Sequence, residues 1–335
     1  MTPDQRTALA GWLGDVLGLQ GMPEVSQISG GQSNPTYVVA MDGRKMVLRK
    51  QPPGPLLKGA HAVDREYRVQ SALRDTGVPV ADMLAWCGKA DVLGTPFYVM
   101  DWIDGRVFHE TSLPGAPTED RHAMYLSVAR AMADMHAVDP KAVGLGDYGR
   151  PGSYFARQIR RWSGQLANTQ MPDVPDLVQL QRWVEAHTPE DDGACTITHG
   201  DFRIGNIMFH RDRAEVAAVL DWELSTLGHP MADVSFFCLC WPSRQDEYGG
   251  LADLDWQAMG IPTKAEFLAE YNARSGGQHV LTPFHEAFAF FRFGVIFIGI
   301  AERAAQGNAA GDAGKDAMRL ARAFGRHGME VVAAA

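Results

Sequence analysis

The densest chemistry in this 335-residue sequence lies in Thr198-His-Gly-Asp201-Phe-Arg-Ile-Gly-Asn206-Ile-Met-Phe-His210, followed by Val219-Leu-Asp221-Trp-Glu223. Asp201 and Asn206 stand five apart across a glycine-bearing turn between two short predicted strands, and Asp221 ends the next strand. A carboxylate, an amide and a second carboxylate can converge there. Hard oxygen donors suit Mg²⁺, which takes one or two protein ligands and completes its shell with substrate phosphates and water. A carboxylate outside the metal shell can accept a hydroxyl proton. A base, an Asn–Asp metal pair and a phosphate clamp are the parts of phosphoryl transfer. No GxSxG nucleophile elbow and no HExxH zinc helix competes with this reading.

The elements that must position these groups follow from periodicity and turn chemistry. Thr7–Leu19 has helical spacing and is broken by Gly21-Met-Pro. Strands are predicted at Val25–Ile28, Thr36–Met41 and Lys45–Arg49, with Asp42-Gly43 as a hairpin signal. A helix is expected over Ala62–Thr76, then strands at Asp82–Cys87 and Pro96–Trp102. Asp104–Pro117 reads as a connector. Helices follow at Glu119–Ala137, Tyr154–Trp162 and Leu177–His187, and short strands at Thr196–His199, Ile207–His210 and Val216–Leu220. From Met231 onward the chain is mainly helical, with a small-residue loop at Ala305–Gly314. The apolar run Phe288–Ala301, interrupted by Arg292, reads as a buried helix too short to span a bilayer.

His199-Gly-Asp201-x4-Asn206 with Asp221 in Leu-Asp-Trp-Glu resembles the aminoglycoside phosphotransferase and choline-kinase family. In particular it is similar to the kinase-like domain found N-terminal in acyl-CoA dehydrogenase family members 10 and 11 and in bacterial stand-alone relatives. Further matching stretches are Ser29-Gly-Gly-Gln-Ser-Asn-Pro-Thr-Tyr37, Val47-Leu-Arg-Lys-Gln-Pro-Pro-Gly54, His61-Ala-Val-Asp-Arg-Glu-Tyr67, Gly94-Thr-Pro-Phe-Tyr-Val-Met100 and Leu220-Asp-Trp-Glu-Leu-Ser-Thr-Leu-Gly228. They run in order over roughly residues 20–240.

The resemblance implies an α+β, bilobal protein-kinase-like fold, with a β-rich N-lobe over residues 1–103 and a mainly helical C-lobe over 104–335. It implies ATP and Mg²⁺ as cofactors. Asp201 would orient and deprotonate the acceptor hydroxyl, and Asn206 and Asp221 would hold the metal. Ser29, Gly30, Gly31, Gln32, Ser33 and Asn34 would form the phosphate-covering loop, although they depart from GxGxxG. On the third strand the resemblance favours Arg49 over the adjacent Lys50 as the phosphate cation, with Glu66 as its partner. Successive strand side chains face opposite ways, so only one of the two can enter the cleft. Adenine would meet hinge backbone at Asp101 and Ile103. Arg203 would contact the transferred phosphate or the acceptor. His199 is read as a loop-holding residue, and Asp233 as the anchor of the catalytic-loop backbone.

Thirty-one basic and 40 acidic residues give a net charge of −9, which argues against general nucleic-acid or anionic-membrane binding. Four cysteines, Cys87, Cys195, Cys238 and Cys240, fit no metal or redox spacing and suit a reducing cytoplasm. The expected partner is a small molecule bearing a hydroxyl. The tail Gly325–Ala335 has only Glu330 as an acidic residue, and Phe288, Phe290, Phe291, Phe293 and Phe297 cluster in one stretch. This suits an apolar acceptor better than a polycationic aminoglycoside, and the resemblance implies a hydroxyacyl-CoA or hydroxy acid. A true aminoglycoside phosphotransferase and a nucleotide-binding pseudokinase are the alternatives.

Overall fold

The computed structural model describes residues 1–28, 34–54, 61–150, 152–170, 174–305 and 313–335. The N-terminal region is an antiparallel five-stranded sheet in the order β1-β2-β3-β5-β4. Its strands are β1 (Glu24–Gln27), β2 (Thr36–Met41), β3 (Arg44–Lys50), β4 (Met83–Cys87) and β5 (Phe97–Asp101). Helix α1 (Pro3–Leu17) starts on a capping box in which Thr2 and Gln5 satisfy each other's backbone N–H groups. It buries Leu9 and Leu13 against Val39, Leu48, Phe97 and Val99 of the sheet. On the other face, α2 (Val63–Leu73) lies between β3 and β4 in the chain.

The connector expected at Asp104–Pro117 contains a further short strand, β6 (Gly105–Val107). It pairs with β8 (Ile207–His210), which in turn pairs with β9 (Val216–Val219). A second small ladder joins β7 (Thr196–Thr198) to β10 (Thr226–Gly228). These two ladders frame the segment that carries Asp201, Asn206 and Asp221.

Helices α3 (Thr118–Ala137), α4 (Tyr154–Ala167), α5 (Pro175–Ala186), α6 (Met231–Cys238), α7 (Lys264–Ser275), α8 (Pro283–Ala305) and α9 (Ala313–Ala334) pack around them. The apolar run expected near residues 288–301 is longer than its sequence pattern suggested. It is a 23-residue helix, long and apolar enough by composition to cross a membrane. In this molecule 83% of its most apolar window is buried inside the fold. Phe284, Phe288, Phe290, Phe291 and Phe293 all point into one core, and the Phe236 and Phe293 rings stack 4.1 Å apart. Each fully buried aromatic of this kind contributes roughly 1.5–3 kcal/mol. Cys87 and Cys238 are buried free thiols, whereas Cys195 is exposed.

Candidate functional site

Between β7 and β8 the chain turns through His199, Gly200 and Asp201. The turn is fixed by Asp233 at the start of α6, whose carboxylate accepts the His199 N–H at 2.7 Å and the Gly200 N–H at 2.8 Å. The Asp233 side chain is 1% exposed, and His136 of α3 reaches it at 3.3 Å. Burial works to raise the Asp233 carboxyl, but His136 and the two amides hold it below the usual range. Gly200 sits at φ +83°, and a Cβ there would lie 2.7 Å from the Leu224 carbonyl, so no other residue enters this turn without strain. Arg292, the charge that interrupts the apolar helix, donates to the Gly200 carbonyl at 3.1 Å.

His199 is fully buried. Its Nδ1 accepts the Asp201 N–H at 3.3 Å and its Nε2 donates to the Leu220 carbonyl at 2.9 Å. It therefore ties the Asp201 turn to the end of β9, in the loop-holding role expected of it. Leu220 N–H donates to the Asn206 carbonyl at 2.8 Å, which completes the join. Asp221 follows in the left-handed region at φ 63°, a conformation that Asp tolerates better than most residues.

Within this frame the expected residues meet. Asn206 Nδ2 donates to Asp201 Oδ2 at 2.8 Å and to the Asp201 carbonyl at 2.9 Å. The amide nitrogen is thus used locally, which leaves Oδ1 as the side chain's remaining donor to a cation. Asn206 and Asp221 both offer oxygen, and that chemistry fits Mg²⁺. Arg203 Nε lies 3.4 Å from Asp201 Oδ2, and its guanidinium stands 5.5 Å from the centre of the Tyr248 ring.

Arg49 reaches across from β3. Its Nη2 donates to Asp221 Oδ1 at 2.6 Å, and its Nε lies 2.8 Å from Glu66 Oε2, an ion pair whose N–H is not aimed at the oxygen. Lys50 faces the other way and donates to the Leu93 carbonyl at 2.9 Å. The alternation of a strand thus selects Arg49 for the cleft. Glu66 is 1% exposed and is held from two further sides. Tyr98 Oη donates to its Oε2 at 3.0 Å, and Asn34 Nδ2 donates to its Oε1 at 2.7 Å. Burial pushes the Glu66 carboxyl up to about 7, while the Arg49 charge pulls it down.

Of the expected phosphate-covering loop, Ser29, Gly30, Gly31, Gln32 and Ser33 lie outside the described residues. The Asn34 side chain is turned inward, onto Glu66 and onto His61 at 3.2 Å, so it braces the Arg49–Glu66 pair rather than facing open cleft. Asp101 pairs with Arg44 at 2.8 Å, and its N–H donates to the Asp82 carbonyl at 2.9 Å. Only its carbonyl could therefore serve a purine. Ile103 packs against the cluster of Val63, Ala81, Met83 and Tyr98 beneath the same edge.

Sequence reasoning missed Asn34's bracing role, Tyr98, His136, Arg292 and Arg65. Arg65 donates to the carbonyls of Tyr148 at 2.9 Å and Ser225 at 3.2 Å, fastening α2 to the segment after Asp221. The one available signal was Arg292, the single charge inside the phenylalanine-rich run 288–301.

The family model for the phosphotransferase enzyme family matches residues 24–284. The chain belongs to this family. It is 39% identical to mouse acyl-CoA dehydrogenase family member 10 over 308 residues, which is 90% of this chain and 29% of that protein. It is 37% identical to chicken acyl-CoA dehydrogenase family member 11 over 316 residues, 93% of this chain and 40% of that protein. The chain therefore spans between a quarter and a half of the length of these curated relatives. The crystal structure of a candidate aminoglycoside phosphotransferase from Ralstonia eutropha is 41% identical, covers 98% of both chains and superposes with a TM-score of 0.88. Choline kinase from Cryptosporidium parvum shares the fold at 14% identity and a TM-score of 0.62, over 93% of this chain and 89% of that one. The architecture is the α+β, bilobal protein-kinase-like fold, and the chain is a phosphotransferase.

Proposed function

We propose that this phosphotransferase moves the γ-phosphate of ATP to the hydroxyl of a small molecule in the cytoplasm, and that the acceptor is a hydroxyacyl-CoA or a related hydroxy acid. The observation that carries the transfer is the meeting of Asp201, Asn206 and Asp221 with the Arg49–Glu66 pair in one cleft. Asp201 accepts the acceptor's hydroxyl proton and aims its oxygen. Asn206 Oδ1 and the Asp221 carboxylate would hold Mg²⁺. When bound, the metal neutralises charge on the nucleotide phosphates. Arg49, kept in place by Glu66, presents its guanidinium to the same phosphates. Catalysis is then mostly orientation and preorganised charge.

The acyl acceptor is supported by what surrounds Asp201. The adjoining pocket is lined by Phe236, Phe237, Leu239, Phe324 and Tyr248, with Arg203 at its edge. Its one acidic side chain, Glu247, is paired with Arg326 at 2.7 Å and with His327 at 2.7 Å. A polycation would find no free carboxylate on that wall. The 39% identity to a protein named as an acyl-CoA dehydrogenase family member points the same way. The name of the Ralstonia eutropha protein favours an aminoglycoside instead. ADP formation measured against parallel panels of hydroxyacyl-CoAs, free hydroxy acids and aminoglycosides separates the two. Turnover is expected on an acyl panel, and turnover confined to aminoglycosides would overturn the acceptor class.

A further inference from the structure

One residue beside Asp201 stands in a conformation that its type disfavours. Tyr248 has φ +67°, in the left-handed region that is a genuine outlier for a bulky side chain. Such strain persists only where the surroundings over-determine it, and it collects at ligand-binding sites. Here the surroundings are explicit. On one side, Glu247 is clamped by Arg326 and His327 of α9. On the other, the Gly249 carbonyl accepts the Thr111 hydroxyl, Gly249 N–H donates to Gln245 at 3.0 Å, and Gly250 N–H donates to Arg244 at 2.8 Å.

What this scaffold holds up is a half-open aromatic wall. Tyr248 is 42% exposed, yet its ring lies 5.5 Å from Phe297 and 6.4 Å from Phe324, at the mouth of the aromatic pocket. Its outer face meets Arg203. Among the described residues its hydroxyl has no hydrogen-bond partner.

A second observation comes from the same pocket. Ser243 lines it, is 2% exposed, and its Oγ has no hydrogen-bond partner among the described residues. A buried hydroxyl left unpaired is disfavoured unless something else completes it.

We infer that Tyr248 and Ser243 select the acceptor, the Tyr248 ring guiding an apolar chain past Asp201 into the aromatic pocket and the Ser243 hydroxyl donating to an oxygen carried on that chain. This rests on the acyl-acceptor reading above. It narrows that reading to acceptors with an apolar chain and an oxygen function set back from the reacting hydroxyl. A carbonyl or thioester oxygen has that chemistry.

The test uses 3-hydroxybutyryl-CoA and 3-hydroxyoctanoyl-CoA as acceptors for the wild type, Ser243→Ala and Tyr248→Asn. Asn tolerates the left-handed region, so the loop is kept. Removing the Ser243 hydroxyl takes away no internal hydrogen bond, so Ser243→Ala is expected to unfold at or above the wild-type temperature. Its acceptor KM is expected to rise about tenfold, the scale of one lost hydrogen bond, while its KM for ATP stays within about twofold. Tyr248→Asn is expected to lose discrimination between the two chain lengths. A structural role alone would move thermal stability and leave that split untouched. If the wild type is active and Ser243→Ala leaves acceptor KM unchanged, the inference falls and the acyl reading stands. If the wild type is idle on both thioesters, the acyl reading falls and takes this inference with it.

Discussion

Glu66 shows how much of the cleft depends on one buried carboxylate. It accepts hydrogen bonds from Tyr98 and Asn34 and pairs with Arg49, and only its ionised form makes that ion pair. Its carboxyl is raised from 4.5 to about 7 by burial, against the pull of Arg49. The charged form that orients Arg49 is therefore lost as pH falls through about 7, and kcat/KM for ATP should show an acid limb there. Stability should move the opposite way. Between 4.5 and about 7 the folded state holds a proton that the unfolded chain has released, so this group's contribution to stability falls as pH rises through that window. Glu66→Gln should remove both dependences, and paired pH–rate and pH–denaturation curves read them directly. Asp201, Asn206 and Asp221 were legible because turn and strand spacing bring them together within a short stretch of chain. Asn34 and Tyr98 were not, because only the folded sheet carries them onto Glu66. Arg49 against Lys50 needed both levels, strand alternation to say that one faces inward and the resemblance to say which.

At the level of elements, the His199–Asp201 turn is held by helices distant from it in sequence. Asp233 on α6 anchors two backbone amides and faces His136 of α3, while Arg292 of α8 holds the Gly200 carbonyl. Asp233→Ala would orphan both buried amides and the imidazole. The cost should be about 3 kcal/mol or more by urea unfolding, in line with breaking a buried charged network. A loss under about 1 kcal/mol would show that the turn holds itself.

A second polar cluster, Asp192 with His229 and His279 at 3.2 Å each, has the spacing of a metal site. However, Met231 N–H donates to His229 Nδ1 at 3.2 Å, which leaves the proton on Nε2, where it bonds Asp192. The cluster is a hydrogen-bonded clasp between loops. Most elements were readable from periodicity, including β2 and β8 to the residue. The short strands β6 and β10 escaped because each has a glycine at one end, which reads as turn or loop, whereas the equally short β7 is an unbroken Thr-Ile-Thr of β-branched residues. Helix α8 outran its sequence pattern because its two ends carry His285, Glu286, Glu302 and Arg303 and so fall outside the apolar run.

Across the whole molecule, the groups of the proposed site come from different regions, and the N-terminal sheet reaches the rest through Arg49 and Asp221. Arg49 arrives from the N-terminal sheet, Asp201 and Asn206 from the β7–β8 segment, and Tyr248 from the loop clamped by α9. Arg65 and Tyr148 fasten α2 to the segment following Asp221, so the two regions are joined beside the site they form. The bilobal order of a β-rich region followed by helices was readable from the sequence, as was the family. The aromatic pocket was not, because it is assembled from residues as far apart as Thr111 and Phe324.

In the proposed reaction Asp201 acts on the acceptor rather than on the nucleotide. The most direct test of this follows transfer of radiolabelled γ-phosphate from Mg·ATP to the acceptor in the wild type and Asp201→Asn, with nucleotide affinity measured calorimetrically on both. Asp201→Asn is expected to bind Mg·ATP within about threefold of the wild type while transfer falls by about 10²–10⁴. Undiminished transfer by Asp201→Asn would contradict it.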